Sequence, residues 1–127
     1  MSISTELKFR YESGCLIAIA TGSYMIEHKE DAIKAMAAAI KARPVRAALA
    51  DMRGLTISYG FMDRYQLGEL AGRYLSAVPL ATLNLAAQVD PEHIAQVVAK
   101  NRGAKLELFT DEAAAYAWLK QHQTPQK

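Results

Sequence analysis

The chain has a single cysteine among 127 residues, so no disulfide can form within it. Cys15 lies in an apolar run, and a buried, unreactive thiol is the simpler interpretation of it. No apolar stretch approaches the roughly 20 residues that cross a bilayer. The first six residues also lack the basic start and the apolar core of a signal peptide. We therefore expect a cytoplasmic protein without a membrane span.

The sequence also lacks a large net charge of either sign. Fifteen Lys and Arg stand against thirteen Asp and Glu, which gives a net charge of +2. The basic residues are scattered, and the nearest thing to a cluster (Lys100, Arg102, Lys105) surrounds an expected helix end, where cations complement the helix dipole. A basic stripe with interleaved aromatic residues, typical of nucleic-acid binders, is missing. We expect no nucleic-acid partner.

Motifs for catalysis, phosphate binding and metal binding are absent from the sequence. His28, His93 and His122 are far apart, whereas metal ligands usually cluster at fixed spacing, and each is expected at the surface. Neither a P-loop nor a Gly-x-Gly-x-x-Gly or Gly-x-Ser-x-Gly segment occurs. We expect no metal, no cofactor and no enzymatic activity. One catalytic alternative stays open, a small hydrolase with Ser58, His93 and Asp51 at one end of the sheet.

The length of the chain suits one domain that buries a core of its own. We interpret residues 1–127 as a single domain and expect the polar segment 121–127 to fray. Strand-like alternation over residues 7–11, a short turn and an apolar run over 15–20 predict an antiparallel hairpin. The almost uniformly apolar run 45–52 is typical of a strand covered on both faces. Further strands are predicted over residues 80–89 and 105–109.

Four helices are predicted between and after these strands. They are expected from about Glu27 to Ala42, from Gly60 or Phe61 to about Ala77, from Asp90-Pro91-Glu92 to a left-handed end at Gly103, and after a cap at Thr110. Gly68 and Gly72 each cost about 1 kcal/mol inside the second helix, so its backbone is expected close against the sheet. Trp118 is predicted to anchor the last helix in the core.

This alternation predicts a single-layer α/β domain with a mostly parallel five-stranded sheet, an N-terminal antiparallel hairpin and about four helices. Ligands and partners usually meet such sheets just beyond the carboxyl ends of central strands. Asp51 and Arg53 stand there, which makes them the first candidates for a site. Residues two apart on a strand also share a face, so an internal Asp51–Arg53 pair that braces the loop is the structural alternative.

Three segments resemble the STAS fold of anti-sigma-factor antagonists, in its SpoIIAA-like branch of small stand-alone proteins. They are residues 49–55 (LADMRGL), residues 61–74 (FMDRYQLGELAGRY), and residues 108–112 (LFTDE) with Ala115, Trp118 and Leu119. The resemblance implies the SpoIIAA-like α/β fold and a regulatory, protein-binding role.

The sequence departs from this family at its phosphorylation switch. The regulatory antagonists open the second helix with Asp-Ser-Ser-Gly and are phosphorylated on the second serine. Aligned on Asp63, the two serine positions hold Arg64 and Tyr65; aligned on Gly60, the switch position holds Tyr59. Ser58 offers a hydroxyl one residue away. We therefore expect a module that works without phosphorylation of that serine.

The resemblance places the family's contact region over residues 53–65. Arg and Tyr are enriched at binding hot spots, which favours their use here. The predicted binding residues are Asp51, Arg53, Ser58, Tyr59, Arg64 and Tyr65. The expected partner is a protein. A carrier for a small apolar ligand or lipid, held between helices and sheet, is the alternative that the fold's likeness to lipid-transfer modules implies, and a homodimer stays open.

Overall fold

Residues 5–23, 29–56 and 60–122 are described by a computed structural model. Within these ranges the chain forms five strands and four α-helices. In chain order they are β1 (Glu6–Glu12), β2 (Cys15–Ser23), α1 (Lys29–Ala42), β3 (Ala47–Thr56), α2 (Phe61–Tyr74), β4 (Leu80–Leu83), α3 (Ile94–Asn101), β5 (Leu106–Phe109) and α4 (Glu112–Gln121). A short 3₁₀ helix, Ala86–Gln88, follows β4.

The five strands form one sheet in the order β1-β2-β3-β4-β5. Only the β1–β2 hairpin is antiparallel, and every other pair is parallel. Each parallel neighbour is reached through one helix, because a parallel connection must return the chain to the same end of the sheet. The predicted α/β fold, with its antiparallel hairpin and four helices, is confirmed.

Both faces of the central strands are covered. On β2, Leu16 and Ala18 pack with α1, α2 and α3, whereas Cys15 and Ile17 pack with α4. Successive side chains of a strand point to opposite faces, so a strand between two helix layers must be apolar throughout. The apolar runs read from the sequence are therefore the buried centre of a three-layer structure.

Two predictions from the sequence concern residues on or beside α4, namely Cys15 and Trp118. Cys15 is fully buried, and burial raises the pKa of its thiol, as expected for an unreactive cysteine. Ala115 and Leu119 are buried beside it. Trp118 packs against the same cluster next to Phe109, with ring centroids 6.2 Å apart, but its side chain stays partly exposed.

The ends of three strands, β2, β3 and β4, differ from the prediction. The third strand was expected to end at Met52, but β3 continues to Thr56 because β2 also extends and pairs with it as far as Ser23. The fourth strand was expected over residues 80–89, but β4 ends at Leu83 and the chain turns into the 3₁₀ helix. Periodicity cannot show where a neighbouring strand stops.

The helix starts differ because the caps sit elsewhere. Helix α3 begins at Ile94 instead of directly after Asp90, since His93 adopts a left-handed conformation with φ of 51°. Asp90 still caps it, because its Oδ2 accepts a hydrogen bond from the Ile94 N–H at 2.9 Å. Helix α4 is capped by Asp111 and not by Thr110: Asp111 Oδ2 accepts from the Ala114 N–H at 3.0 Å.

Helix α2 ends at Tyr74, before the predicted Ala77, and its two interior glycines face a helix instead of the sheet. A Cβ added at Gly68 would lie 2.6 Å from the Ala95 carbonyl oxygen, and one at Gly72 would lie 2.6 Å from the Arg102 Cβ. The expectation of close packing was right, but its partner is α3. The glycines let the two helix backbones approach each other.

Gly68→Ala is expected to lower the free energy of unfolding by about 1–3 kcal/mol through overpacking against α3. This runs opposite to helix propensity, which favours alanine by about 1 kcal/mol. Urea denaturation measures the difference. Gly60→Ala is the matched control, since a Cβ there meets nothing within 4 Å. A Gly68→Ala variant as stable as the original protein would mean that the α2–α3 contact is looser than described.

Candidate functional site

The candidate site lies where β3 extends beyond the end of the neighbouring strand β4. Asp51 pairs with Leu83 in the last β3–β4 step, and beyond it β3 pairs with β2 alone. The side-chain amide of Gln88 takes the place of the missing strand, because its Nε2 donates to the carbonyls of Met52 and Leu55, both at 3.0 Å. Sequence analysis missed Gln88, and no local pattern marks it.

Asp51 and Arg53 form a two-pronged ion pair on this projecting strand. Arg53 Nε lies 3.0 Å from Asp51 Oδ1, and Arg53 Nη2 lies 2.9 Å from Asp51 Oδ2. The third prong, Nη1, contacts Glu112 Oε1 at 2.7 Å and so ties β3 to α4. The structural alternative of an internal pair is therefore what the structure shows, and a binding role for these two residues stays a prediction.

The pair changes the acidity of both groups. Burial by itself raises the pKa of Asp51, which is only 8% exposed, but the hydrogen bonds and charge of Arg53 outweigh burial and hold that pKa below its ordinary value. The two carboxylates in turn raise the pKa of Arg53. Asp51 is therefore ionised near neutral pH and does not act there as a proton donor or acceptor.

Arg64 joins α2 to the segment that follows β4. Its Nη1 lies 3.1 Å from the Gln88 carbonyl oxygen and 3.1 Å from Asp90 Oδ1. The side chains of Arg64 and Asp90 are 19% and 14% exposed, so this ion pair is largely shielded from solvent. Since Asp90 also caps α3, one carboxylate connects two helices. This makes Arg64 a structural anchor of the site.

Tyr65 lies on the next position of α2 and contacts a different neighbour. Its hydroxyl accepts a hydrogen bond from Arg102 Nη2 at 3.1 Å, and Arg102 also contacts Glu69 at 3.0 Å. The Tyr65 ring stacks on Phe61, with centroids 6.2 Å apart. The other two predicted binding residues, Ser58 and Tyr59, lie outside the described residues.

Two large apolar side chains are exposed at the start of α2, and sequence analysis did not select them as site residues. Phe61 and Met62 are each 59% exposed, more than any other large apolar residue among the described ones. No local signal marks their exposure, because adjacent apolar residues commonly share the buried stripe of an amphipathic helix.

The remaining chemistry of the site is sparse. His93 is exposed, as expected, whereas His122 is partly buried against Trp118, with ring centroids 4.4 Å apart; His28 lies outside the described residues. Within the ranges described, no three His, Cys, Asp or Glu side chains converge to hold a metal ion. The helices in those ranges include none that is both long and apolar enough to cross a membrane.

No family model and no curated protein matches this sequence. Solved structures do resemble it. An anti-sigma factor antagonist from Mycobacterium paratuberculosis superposes with a TM-score of 0.64 over 92% of this chain and 95% of its own, at 8% identity. An uncharacterized protein of the DUF3478 family with a SpoIIAA-like fold, from Shewanella loihica PV-4, gives 0.52 over 94% and 96%, at 19% identity. The chain has the SpoIIAA-like fold, as the sequence predicted.

The Asp51–Arg53 pair predicts a specific acid sensitivity. Because the folded-state pKa of Asp51 is lowered, its carboxylate stabilises the fold above the unfolded pKa of about 3.9, and that contribution is lost as pH falls through the folded pKa. Asp51→Asn should therefore reduce the fall in unfolding free energy between about pH 5 and pH 2. Urea denaturation over this pH range measures it.

Glu112→Gln is the matched control for this prediction. Glu112 contacts the same guanidinium, but its side chain is 60% exposed, so its loss should change the unfolding free energy by less than about 1 kcal/mol. The acid-dependent slope should persist in this variant because the Asp51–Arg53 contact remains. An Asp51→Asn slope equal to that of the original protein would contradict the account of the pair.

Proposed function

We propose that this chain is a non-enzymatic regulatory module that binds a protein partner through the start of α2. The contact surface, called here the α2 surface, consists of Phe61, Met62 and Tyr65. The observation that carries the proposal is the 59% exposure of both Phe61 and Met62 in the first turn of α2. Side chains of this size gain free energy when a partner covers them, at about 25 cal/mol per Å² of apolar area.

Hydrogen bonds to neighbouring elements fix the position of the α2 surface. Arg64 fixes the first turn of α2 to Gln88 and Asp90, and Tyr65 is held by Arg102. A surface already held in shape loses little conformational entropy when a partner binds, which favours affinity. Arg53, with a third of its side chain exposed, lies on the α4 side of the sheet and stays a separate predicted contact residue. Aromatic residues, Met and Arg are the types enriched in protein interfaces.

The proposed role does not require the phosphoserine switch of the antagonists. Arg64 and Tyr65, which align with the serines, are engaged in hydrogen bonds within the fold. Tyr59, which holds the switch position in the other alignment, and its neighbour Ser58 remain predicted contact residues. The Mycobacterium paratuberculosis neighbour is named an anti-sigma factor antagonist, and this supports a protein as the partner class. We place the module in the cytoplasm as a single domain.

The geometry of Asp51 argues against the hydrolase alternative. In a triad Asp51 would have to orient His93, yet both of its carboxylate oxygens already bond with Arg53. His93 itself is exposed and adopts a left-handed backbone conformation. An aspartate committed to a guanidinium has little capacity left to position a base. This supports a binding role over a catalytic one.

A Phe61→Ser, Met62→Ser double variant tests the α2 surface. We expect it to fold normally, because both side chains are largely exposed, and to lose at least about tenfold in capture of the partner, as hot-spot removal does. The measurement is quantitative mass spectrometry of proteins bound from a lysate of the native host, with the thermal melt as a folding check.

Phe9→Ser is the matched control, since Phe9 is 37% exposed and lies on β1 at the far edge of the sheet. The proteins that bind the original chain should bind this variant equally well. Equal loss with Phe9→Ser, or undiminished capture by the double variant, would contradict the proposed surface. A shift from dimer to monomer in the double variant, with no foreign protein captured, would replace the partner by a second copy of the chain.

A further inference from the structure

A cavity of about 130 Å³ lies on the other side of α2, between that helix, α1, α3 and the sheet. Apolar side chains from all of these elements line it, among them Met36, Leu67, Ala71, Leu80 and Leu106. An apolar cavity of about 150 Å³ holds one benzene molecule. The space therefore matches a single six-membered ring and is too small for a lipid chain of ordinary length.

One polar group in the cavity wall lacks a partner. Asn84 lines the cavity, and its side-chain Oδ1 is buried with no hydrogen bond to any described residue. The residue itself is firmly placed, because its backbone N–H donates to the Phe109 carbonyl at 2.9 Å at the end of β5. A buried acceptor without a donor is costly, so a ligand that supplies the donor gains affinity there.

Arg64, Asp90 and Gln88, which also line the cavity, are already matched. Arg64 pairs with Asp90, and the Gln88 amide donates to two β3 carbonyls. A charged ligand would find no spare counter-charge in these three groups and would lose its hydration, which is unfavourable. These matched groups favour a neutral occupant.

We propose that this cavity is a binding site for a small neutral aromatic molecule, or an apolar molecule of equal size, that carries one hydroxyl or N–H group. The ring fills the apolar part between the helices and the sheet, and the hydroxyl or N–H donates to Asn84 Oδ1. This site is separate from the α2 surface, and the proposal does not depend on the protein-binding function.

Phenol and toluene test the proposal as an isosteric pair that differs in one donor. Calorimetric titration gives both dissociation constants for the original protein and for Asn84→Leu, which replaces the amide with an apolar group of similar shape. The preference for phenol over toluene should fall by about tenfold in the variant. The comparison of ratios cancels the different hydrophobicities of the two ligands. In the original protein, phenol should also shift the NMR signals of the Asn84 side-chain amide.

Ala71→Leu supplies the filling control, since Ala71 lines the cavity and the added atoms occupy its volume. This variant should bind neither ligand. If it does not fold, the Asn84 amide signals in the original protein still decide the question. Failure of the original protein to bind either ligand at millimolar concentration, or an unchanged preference in Asn84→Leu, would overturn the proposal.

Discussion

The site depends on how the unpaired end of β3 is satisfied. Beyond Asp51 this strand has no β4 beside it, and buried carbonyls without donors are unfavourable. Gln88 supplies two donors from one side chain, to Met52 and Leu55. The segment after β4 is thereby held against β3, and its carbonyl and acid can receive Arg64. The start of α2, the cap of α3 and the polar end of the cavity all follow from that attachment.

Helix α2 serves different purposes on its different faces. Gly68 and Gly72 face α3 at close range, Leu67 and Ala71 line the cavity, and Phe61 with Met62 remains exposed. The charged residues of the site form two ion pairs, Arg64–Asp90 beside α2 and Asp51–Arg53 on the α4 side of β3.

The fold was predictable because its signals are local. Alternation in β1, continuous apolar runs in β2 and β3, and the helical period of α1 each report how many faces of an element are buried. The order of the elements then leaves few topologies open, since parallel strands need helical connections. The Asp51–Arg53 pair could also be predicted from local sequence, because residues two apart on a strand share a face. Asp90 was also predicted as a capping acid, whereas the cap of α4 was expected at Thr110 and is Asp111.

The sequence by itself thus determined the α/β class, the mostly parallel sheet and the buried Cys15. Only the tertiary structure decided that β3 outlasts β4, that Gln88 substitutes for the missing strand and that the glycines of α2 face α3. The physical reason is separation along the chain. Gln88 acts on residues 33 and 36 positions earlier, and Asn84 is unpaired only because distant elements enclose it. No local pattern encodes contacts of that range.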